Sequence, residues 1–198
     1  MTTDVNSPTS PIEHLDVHIY ADGACSGNPG KGGYGVVILN NGQRQELSGG
    51  FRYTTNNRME IMGAIVGLKA LSDMSSKVTI YSDSKYLVDM FNGGHANKWR
   101  DKGWLKSKGK EPAKNPDLWN DLLDITAKHE VKMVWVRGHG SNENNSRCDE
   151  LAVEARLKDD LPSDEGYVNP APVVQVPIVQ VMPVVPVEEE PDLFGWLK

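Results

Sequence analysis

From residue 17 to 22 apolar and polar positions alternate, Val17, Ile19 and Ala21 against His18, Tyr20 and Asp22, which is the period of a strand with one face on a core. The glycine-rich stretch 23–35 reads as a turn that leads into a second strand over 35–39. Asn41-Gly42 is a hairpin signal, and a third strand follows near 46–52. From 58 to 71 the pattern is helical and apolar on most faces, so it predicts a buried helix. A strand over 78–81, a short helix over 84–91, an amphipathic helix over 117–129, a fifth strand over 131–136 and a last helix over 145–157 complete the pattern. Three strands joined by hairpins, followed by strands alternating with helices, predict an α/β fold with a five-stranded mixed sheet flanked by helices.

The pattern stops after Leu161. Seven prolines, Pro162, Pro170, Pro172, Pro177, Pro183, Pro186 and Pro191, punctuate a Val-rich stretch that neither a helix nor a central strand accommodates. The run 173–187 is too short to span a membrane and contains Gln175, Gln180 and three prolines. These features divide the chain into a short disordered segment over 1–15, one folded domain over 16–161 and a disordered Pro/Val-rich acidic tail over 162–198. Residues 1–15 contain no Lys or Arg and no apolar core, so no secretory or transit signal is read there. Cys25 and Cys148 form neither a disulfide framework nor a zinc motif, which points to a reducing compartment and predicts a cytoplasmic protein.

A formal charge of −6 argues at first against a nucleic-acid binder. Dividing the chain reverses that inference: residues 16–157 carry a balance of +2, residues 158–198 carry −6, and Asp4 and Glu13 supply the rest. Within 95–114, Lys98, Arg100, Lys102, Lys106, Lys108, Lys110 and Lys114 face only Asp101 and Glu111, a local +5. A solvated loop accounts for the charge alone. Trp99 and Trp104, interleaved with the cations, favour a strand-binding groove, because exposed tryptophans are costly unless they pack or bind.

Asp22 ends the first strand and Asp83 the fourth. If those strands are parallel neighbours the two side chains lie roughly 5 Å apart, one strand spacing, in the crevice where open sheets place their sites. Glu60 is costly on a helix surrounded by Ile61, Met62, Ile65 and Val66 unless it is paired or metal-bound. Taken singly, Asp22 and Asp83 also fit as turn formers, and Glu60 and Asp149 as acids favouring a helix dipole.

The stretches YADGACSGNPGKGGYG (20–35), TTNNRMEIMGAI (54–65), YSDSKYLV (81–88), KGWLKSKGKEPAKNPDLW (102–119) and WVRGHGSNENNSRCDELA (135–152) closely resemble type 1 ribonuclease H of the bacterial kind, in that family's order, over nearly all of 16–157. The resemblance implies the ribonuclease H-like fold and makes Asp22, Glu60, Asp83 and Asp149 the four catalytic acids and metal ligands, with His139 a catalytic histidine on a mobile loop. Four converging acids hold protons unless cations neutralise them. All-oxygen ligands suit Mg²⁺, with Mn²⁺ as a substitute. Two ions about 4 Å apart activate a water and stabilise the leaving oxygen of a phosphodiester. The implied reaction is endonucleolytic hydrolysis of the RNA strand of RNA/DNA hybrids, leaving 5′-phosphate and 3′-hydroxyl ends, with a role in removing RNA primers and R-loops.

Selectivity for a hybrid needs separate readers for a strand with 2′-hydroxyls and one without. The resemblance assigns shallow-groove contacts to Cys25, Asn28, Asn56, Asn57 and Asn145, and a DNA-strand phosphate to Thr55 with Asn28. Asn28 also fits its Asn-Pro turn, and Thr55 or Asn56 a helix cap. The basic segment with Trp99 and Trp104 matches the family's handle, which grips the DNA strand. Two positions depart from the pattern: Leu39 stands where bacterial members commonly have an arginine near the phosphate pocket, and Lys85 where a neutral Gln is familiar. The enzyme is expected to act as a monomer.

Glu188-Glu189-Glu190-Pro191-Asp192-Leu193-Phe194 places apolar anchors after an acidic run, and Pro-Asp-Leu-Phe resembles the end of a bacterial sliding-clamp-binding peptide without its usual leading Gln. An unselected tail is the alternative. Rival readings of the whole chain are a non-catalytic hybrid-binding module and a DNA-cleaving integrase or transposase core.

Overall fold

The computed structural model describes residues 16–71, 76–106, 111–138 and 140–168. The expectations placed on residues 1–15, on Lys108, Lys110 and His139, and on 169–198 fall outside the described residues.

Strands β1 (Asp16–Gly27), β2 (Gly30–Asn40) and β3 (Gln43–Thr54) form an antiparallel meander. Helix α1 (Asn56–Lys69) then crosses over to β4 (Lys77–Ser82), which lies parallel to β1, and β5 (Glu130–Trp135) lies parallel to β4, giving the sheet order β3-β2-β1-β4-β5. Helices α2 (Lys85–Asn92), α3 (His95–Asp101) and α4 (Pro116–Thr126) separate β4 from β5, and α5 (Glu143–Arg156) and the short α6 (Glu165–Val168) follow.

Alternation along β2 separates two cores. Val36 and Ile38 join Ile19, Ile61, Ile65, Leu68, Ile80, Leu87, Trp119 and Leu122 in the main one, whereas Val37 meets Cys148 and Leu151 of α5. Helix α1 buries Met59, Ile61, Ala64, Ile65 and Leu68 together with Gly63 and Gly67, which is why its pattern is apolar nearly all round.

The turn within 23–35 is confined to Asn28-Pro29, whose peptide bond is cis, and the residues on both sides of it are paired strand. The glycines of this stretch answer helix packing instead: a side chain at Gly35 would collide with the Cys148 carbonyl and one at Gly33 with the Ala152 carbonyl, both on α5. A side chain at Gly23 would lie 2.6 Å from the Glu60 backbone nitrogen. Glycine here lets helices approach the sheet closely.

Helix α5 begins two residues before the expected start because Asn142 caps it, accepting a hydrogen bond from Asn145 N–H at 3.2 Å. Part of the basic segment is helical rather than loop, as α3. Trp99 and Trp104 are half-buried against the main core, and Trp99 meets Trp119 edge-on at 6.4 Å. Packing thus answers part of the reason for reading them as exposed contacts.

The domain also extends beyond Leu161. The Pro162 carbonyl accepts from Arg52 N–H at 2.9 Å, Tyr167 lies 5.7 Å from the Tyr53 ring, and Asp164 is 3% exposed. Proline content misplaced this boundary, since Pro162 contributes its carbonyl to the edge strand and needs no N–H there. Among the described residues no helix is long and apolar enough to cross a membrane.

Candidate active site

Parallel pairing of β1 with β4, in register at Tyr20 and Tyr81, carries the chain on to Asp22 and Asp83 side by side. Helix α1 lays Glu60 against them. One carboxylate oxygen from each of the three lies within 4.8 Å of the others. Asp22 and Glu60 are buried, at 6% and 5% exposure. Gly23 N–H donates to Asp22 Oδ1 at 2.7 Å and Asn56 Nδ2 to Glu60 Oε1 at 3.1 Å, while Glu60 Oε2 is buried with no partner.

Burial, and then the charges of Asp83 and Asp149, push Asp22 up to about 7 against the single opposing hydrogen bond from Gly23. Burial together with Asp22 and Asp83 raises Glu60 well above the ordinary carboxylate range. Such a cluster holds protons in the absence of a cation. The orphaned oxygen of Glu60 and the all-oxygen donor set fit a divalent metal ion. Asp149, half-buried on α5, is felt electrostatically by Asp22 but is not one of the three acids whose oxygens converge.

Two features frame the acids. The Trp135 indole donates to the Asp83 backbone carbonyl at 3.0 Å, and Lys85 Nζ lies 5.2 Å from the centre of that ring, so the unusual lysine stands over the ring that holds the Asp83 backbone. A side chain at Gly138 would collide with the Asp83 carboxylate, so the loop that leads to position 139 passes directly against the cluster.

The expected substrate contacts surround the start of α1. Asn28 Oδ1 accepts from Asn56 N–H at 3.1 Å and so caps α1 from the turn between β1 and β2, whereas Thr55, at the N-cap, makes no side-chain capping bond. Cys25 Sγ lies 3.5 Å from the Thr54 carbonyl, and Asn57 is exposed. Asn28, Thr55 and Asn57 line a groove of about 700 Å³ that reaches Lys114 and Tyr167. Asn145 is buried with Oδ1 unpartnered. Trp99 lies apart, beside His95, Lys98 and Lys102 on the basic segment. In that segment Arg100 is paired with Asp124 at 2.9 Å and Lys106 with Glu111 at 2.5 Å. Leu39 packs on the smaller core.

The RNase H family profile matches residues 14–156, most of the chain. The chain belongs to the RNase H family. It is 59% identical over 153 residues to a ribonuclease H of Rippkaea orientalis, covering 77% of this chain and 93% of the relative. It is 52% identical over 152 residues to a ribonuclease HI of Synechocystis, covering 76% and 94%. Among solved structures it resembles LC9-RNase H1, a type 1 RNase H, with a TM-score of 0.64 and 31% identity over 74% of each chain. It also resembles LC11-RNase H1, solved in complex with an RNA/DNA hybrid, with a TM-score of 0.52 and 29% identity, covering 70% of this chain and 95% of that one.

Sequence reasoning missed a buried ion cluster next to this RNase H groove. Arg58, 2% exposed, donates to both oxygens of Asp117 at 2.8 and 2.6 Å and to both oxygens of Asp164 at 2.6 and 2.7 Å. The available signal was Arg58 itself, a cation within a helix read as buried, which requires carboxylate partners.

Proposed function

We propose that this RNase H hydrolyses the RNA strand of RNA/DNA hybrids at Asp22, Glu60, Asp83 and Asp149 with two divalent ions, Mg²⁺ or in its place Mn²⁺, leaving 5′-phosphate and 3′-hydroxyl ends. The observation that carries this reading is the convergence of Asp22, Glu60 and Asp83, with Glu60 Oε2 buried and unpartnered. Those residues would hold the ions. When bound, the ions supply a water acidic enough to attack at neutral pH and charge to stabilise the departing oxygen.

The protein's own residues bind and orient the duplex. Asn28, Asn56 and Asn57 offer donors and acceptors suited to hydroxyls and base edges, and Thr55, whose hydroxyl is not spent on a cap, suits a phosphate of the DNA strand. Cys25 and Asn145 complete the shallow-groove contacts. Lys98, Lys102 and Lys114 with the half-exposed faces of Trp99 and Trp104 meet the DNA strand. His139, next in sequence to Gly138, handles a proton or speeds product release. Removal of primers and R-loops follows from the substrate class. Monomeric action and a clamp-binding role for 191–194 are separate proposals that rest on sequence alone.

The test is a labelled RNA/DNA hybrid with Mg²⁺, run beside double-stranded DNA and double-stranded RNA, with Asp22→Asn as control. Cleavage of the hybrid's RNA alone supports the reading. Binding without cleavage favours a non-catalytic module, and duplex-DNA cleavage favours an integrase-like core. Size-exclusion chromatography with light scattering checks the monomer, and calorimetric titration of a 188–198 peptide against a clamp checks the tail.

A further inference from the structure

The segment 162–168 supplies none of the acids, yet it is anchored through charges that are almost fully buried. Asp164 Oδ2 accepts from Thr54 Oγ1 at 2.6 Å and from Arg58 Nε at 2.6 Å, and Oδ1 accepts from Arg58 Nη2 at 2.7 Å. Thr54 is the last residue of β3 and Arg58 the third of α1. One carboxylate therefore holds both ends of the connection 54–58, and Thr55, Asn56 and Asn57 lie between the two holds.

The remaining face of Arg58 is taken by Asp117, in the first turn of α4, where the chain leaves the basic segment. At Gly166 a side chain would collide with Asp117 Oδ2 and lie 2.8 Å from Arg58 Nη2, so the segment is pressed onto the cluster. Arg52 and Ser163 are joined by a further hydrogen bond. The 700 Å³ groove is lined by Thr55 and Asn57 on one side, Lys114 on another, and Gly166 and Tyr167 of this segment.

Stability alone is a weak reason for such a cluster, because burying charges offsets much of what their pairing contributes, and well-packed apolar residues often do as well. What the cluster does provide is a fixed geometry: the guanidinium fork and a bidentate carboxylate define the path of 54–58 to within a hydrogen bond's tolerance. That path sets Asn56, which bridges Asn28 and Glu60.

We propose that Asp164 is a positioning residue for hybrid binding: the C-terminal segment clamps the 54–58 connection so that Thr55, Asn56 and Asn57 are preorganised for the duplex. This rests on the groove assignment made above. Loss of the clamp loosens the ground-state contacts of 55–57, while Glu60 stays on a helix held by Ile61, Ala64, Ile65 and Leu68 in the core, so KM for the hybrid rises with kcat little changed.

Four full-length variants, assayed by steady-state hybrid cleavage well below their melting temperatures, test this. Asp164→Asn is expected to raise KM about tenfold with kcat within about twofold. Thr54→Val, which removes one donor and leaves the ion pairs intact, shifts KM in the same direction by less. Val78→Ala, a core cavity at the far end of β4, lowers the melting temperature and leaves KM unchanged, which separates positioning from general destabilisation. Asn57→Ala reports on the groove itself and raises KM.

The proposal is overturned if Asp164→Asn and Thr54→Val fold and keep the wild-type KM while Asn57→Ala raises it. It is equally overturned if they lower kcat at unchanged KM. If Asn57→Ala leaves KM unchanged, the groove assignment falls and takes the clamp with it. Should Asp164→Asn fail to fold, Thr54→Val decides.

Discussion

Replacing Asp22 with Asn should stabilise the metal-free protein while abolishing its activity. An acid whose pKa is higher folded than unfolded subtracts stability as it ionises. For Asp22 the penalty is absent well below pH 4, grows as the pH rises from its ordinary 3.8 toward about 7, and is complete above that. The full displacement corresponds to a ceiling of about 4 kcal/mol. Protonation at neighbouring Glu60 already relieves part of the repulsion in the wild type, which leaves about 1–3 kcal/mol for the substitution to recover. Asn keeps an oxygen to accept the 2.7 Å bond from Gly23 N–H, so geometry is preserved. For a domain of this size the gain is about 3–10 °C in melting temperature. The assay is thermal unfolding in EDTA at pH 5 and pH 8 for both proteins, repeated with Mg²⁺. The advantage of Asp22→Asn should be larger at pH 8 than at pH 5 and should shrink when Mg²⁺ binds the wild type. A variant that melts at or below the wild type in EDTA at pH 8 would refute the claim that the acids repel one another in the folded state.

Arg58→Ala leaves Asp164 buried, and the half-exposed Asp117 beside it, without their cation and should cost about 3–5 kcal/mol in urea unfolding; a loss under about 1 kcal/mol contradicts the description of Arg58 and Asp164 as a buried pair. Gly138→Ala drives a methyl group into the Asp83 carboxylate and should lower kcat about tenfold or more with a near-wild-type melting temperature; wild-type turnover would mean that the loop does not constrain Asp83. Lys85→Gln removes the cation held over Trp135 beside Asp83 and should make the salt dependence of hybrid binding, measured by anisotropy in an Asp22→Asn background, shallower by about 0.7–0.9 in log–log slope. An unchanged slope would place Lys85 outside phosphate contact.

The strands and helices were legible because alternation and helical periodicity survive wherever one face is buried, as in β2, where Val36 and Ile38 face one core and Val37 the other. The acids were legible because the βαβ crossover forces Asp22 and Asp83 to adjacent strand ends and because Glu60 is anomalous in its helix. Glycines 23–35 misled because the same residue serves a turn and a close helix–sheet approach, and only the tertiary packing of α5 distinguishes the two. Asp164 was hidden for a related reason: it sits in a proline-rich composition, and its role depends on a partner more than a hundred residues away in sequence. Trp99 and Trp104, read from their cationic neighbours, turned out to be half spent on the core.

The central claim is that the Asp22–Glu60–Asp83 cluster hydrolyses RNA within a hybrid only when it holds divalent cations. The most direct measurement is denaturing electrophoresis of an end-labelled RNA annealed to DNA, incubated with the wild-type chain in Mg²⁺ or EDTA and with Asp22→Asn in Mg²⁺. The account predicts internal RNA cleavage by the wild type in Mg²⁺, none in EDTA, and none by Asp22→Asn despite retained hybrid binding. Cleavage in EDTA, or by Asp22→Asn at the wild-type rate, would contradict it.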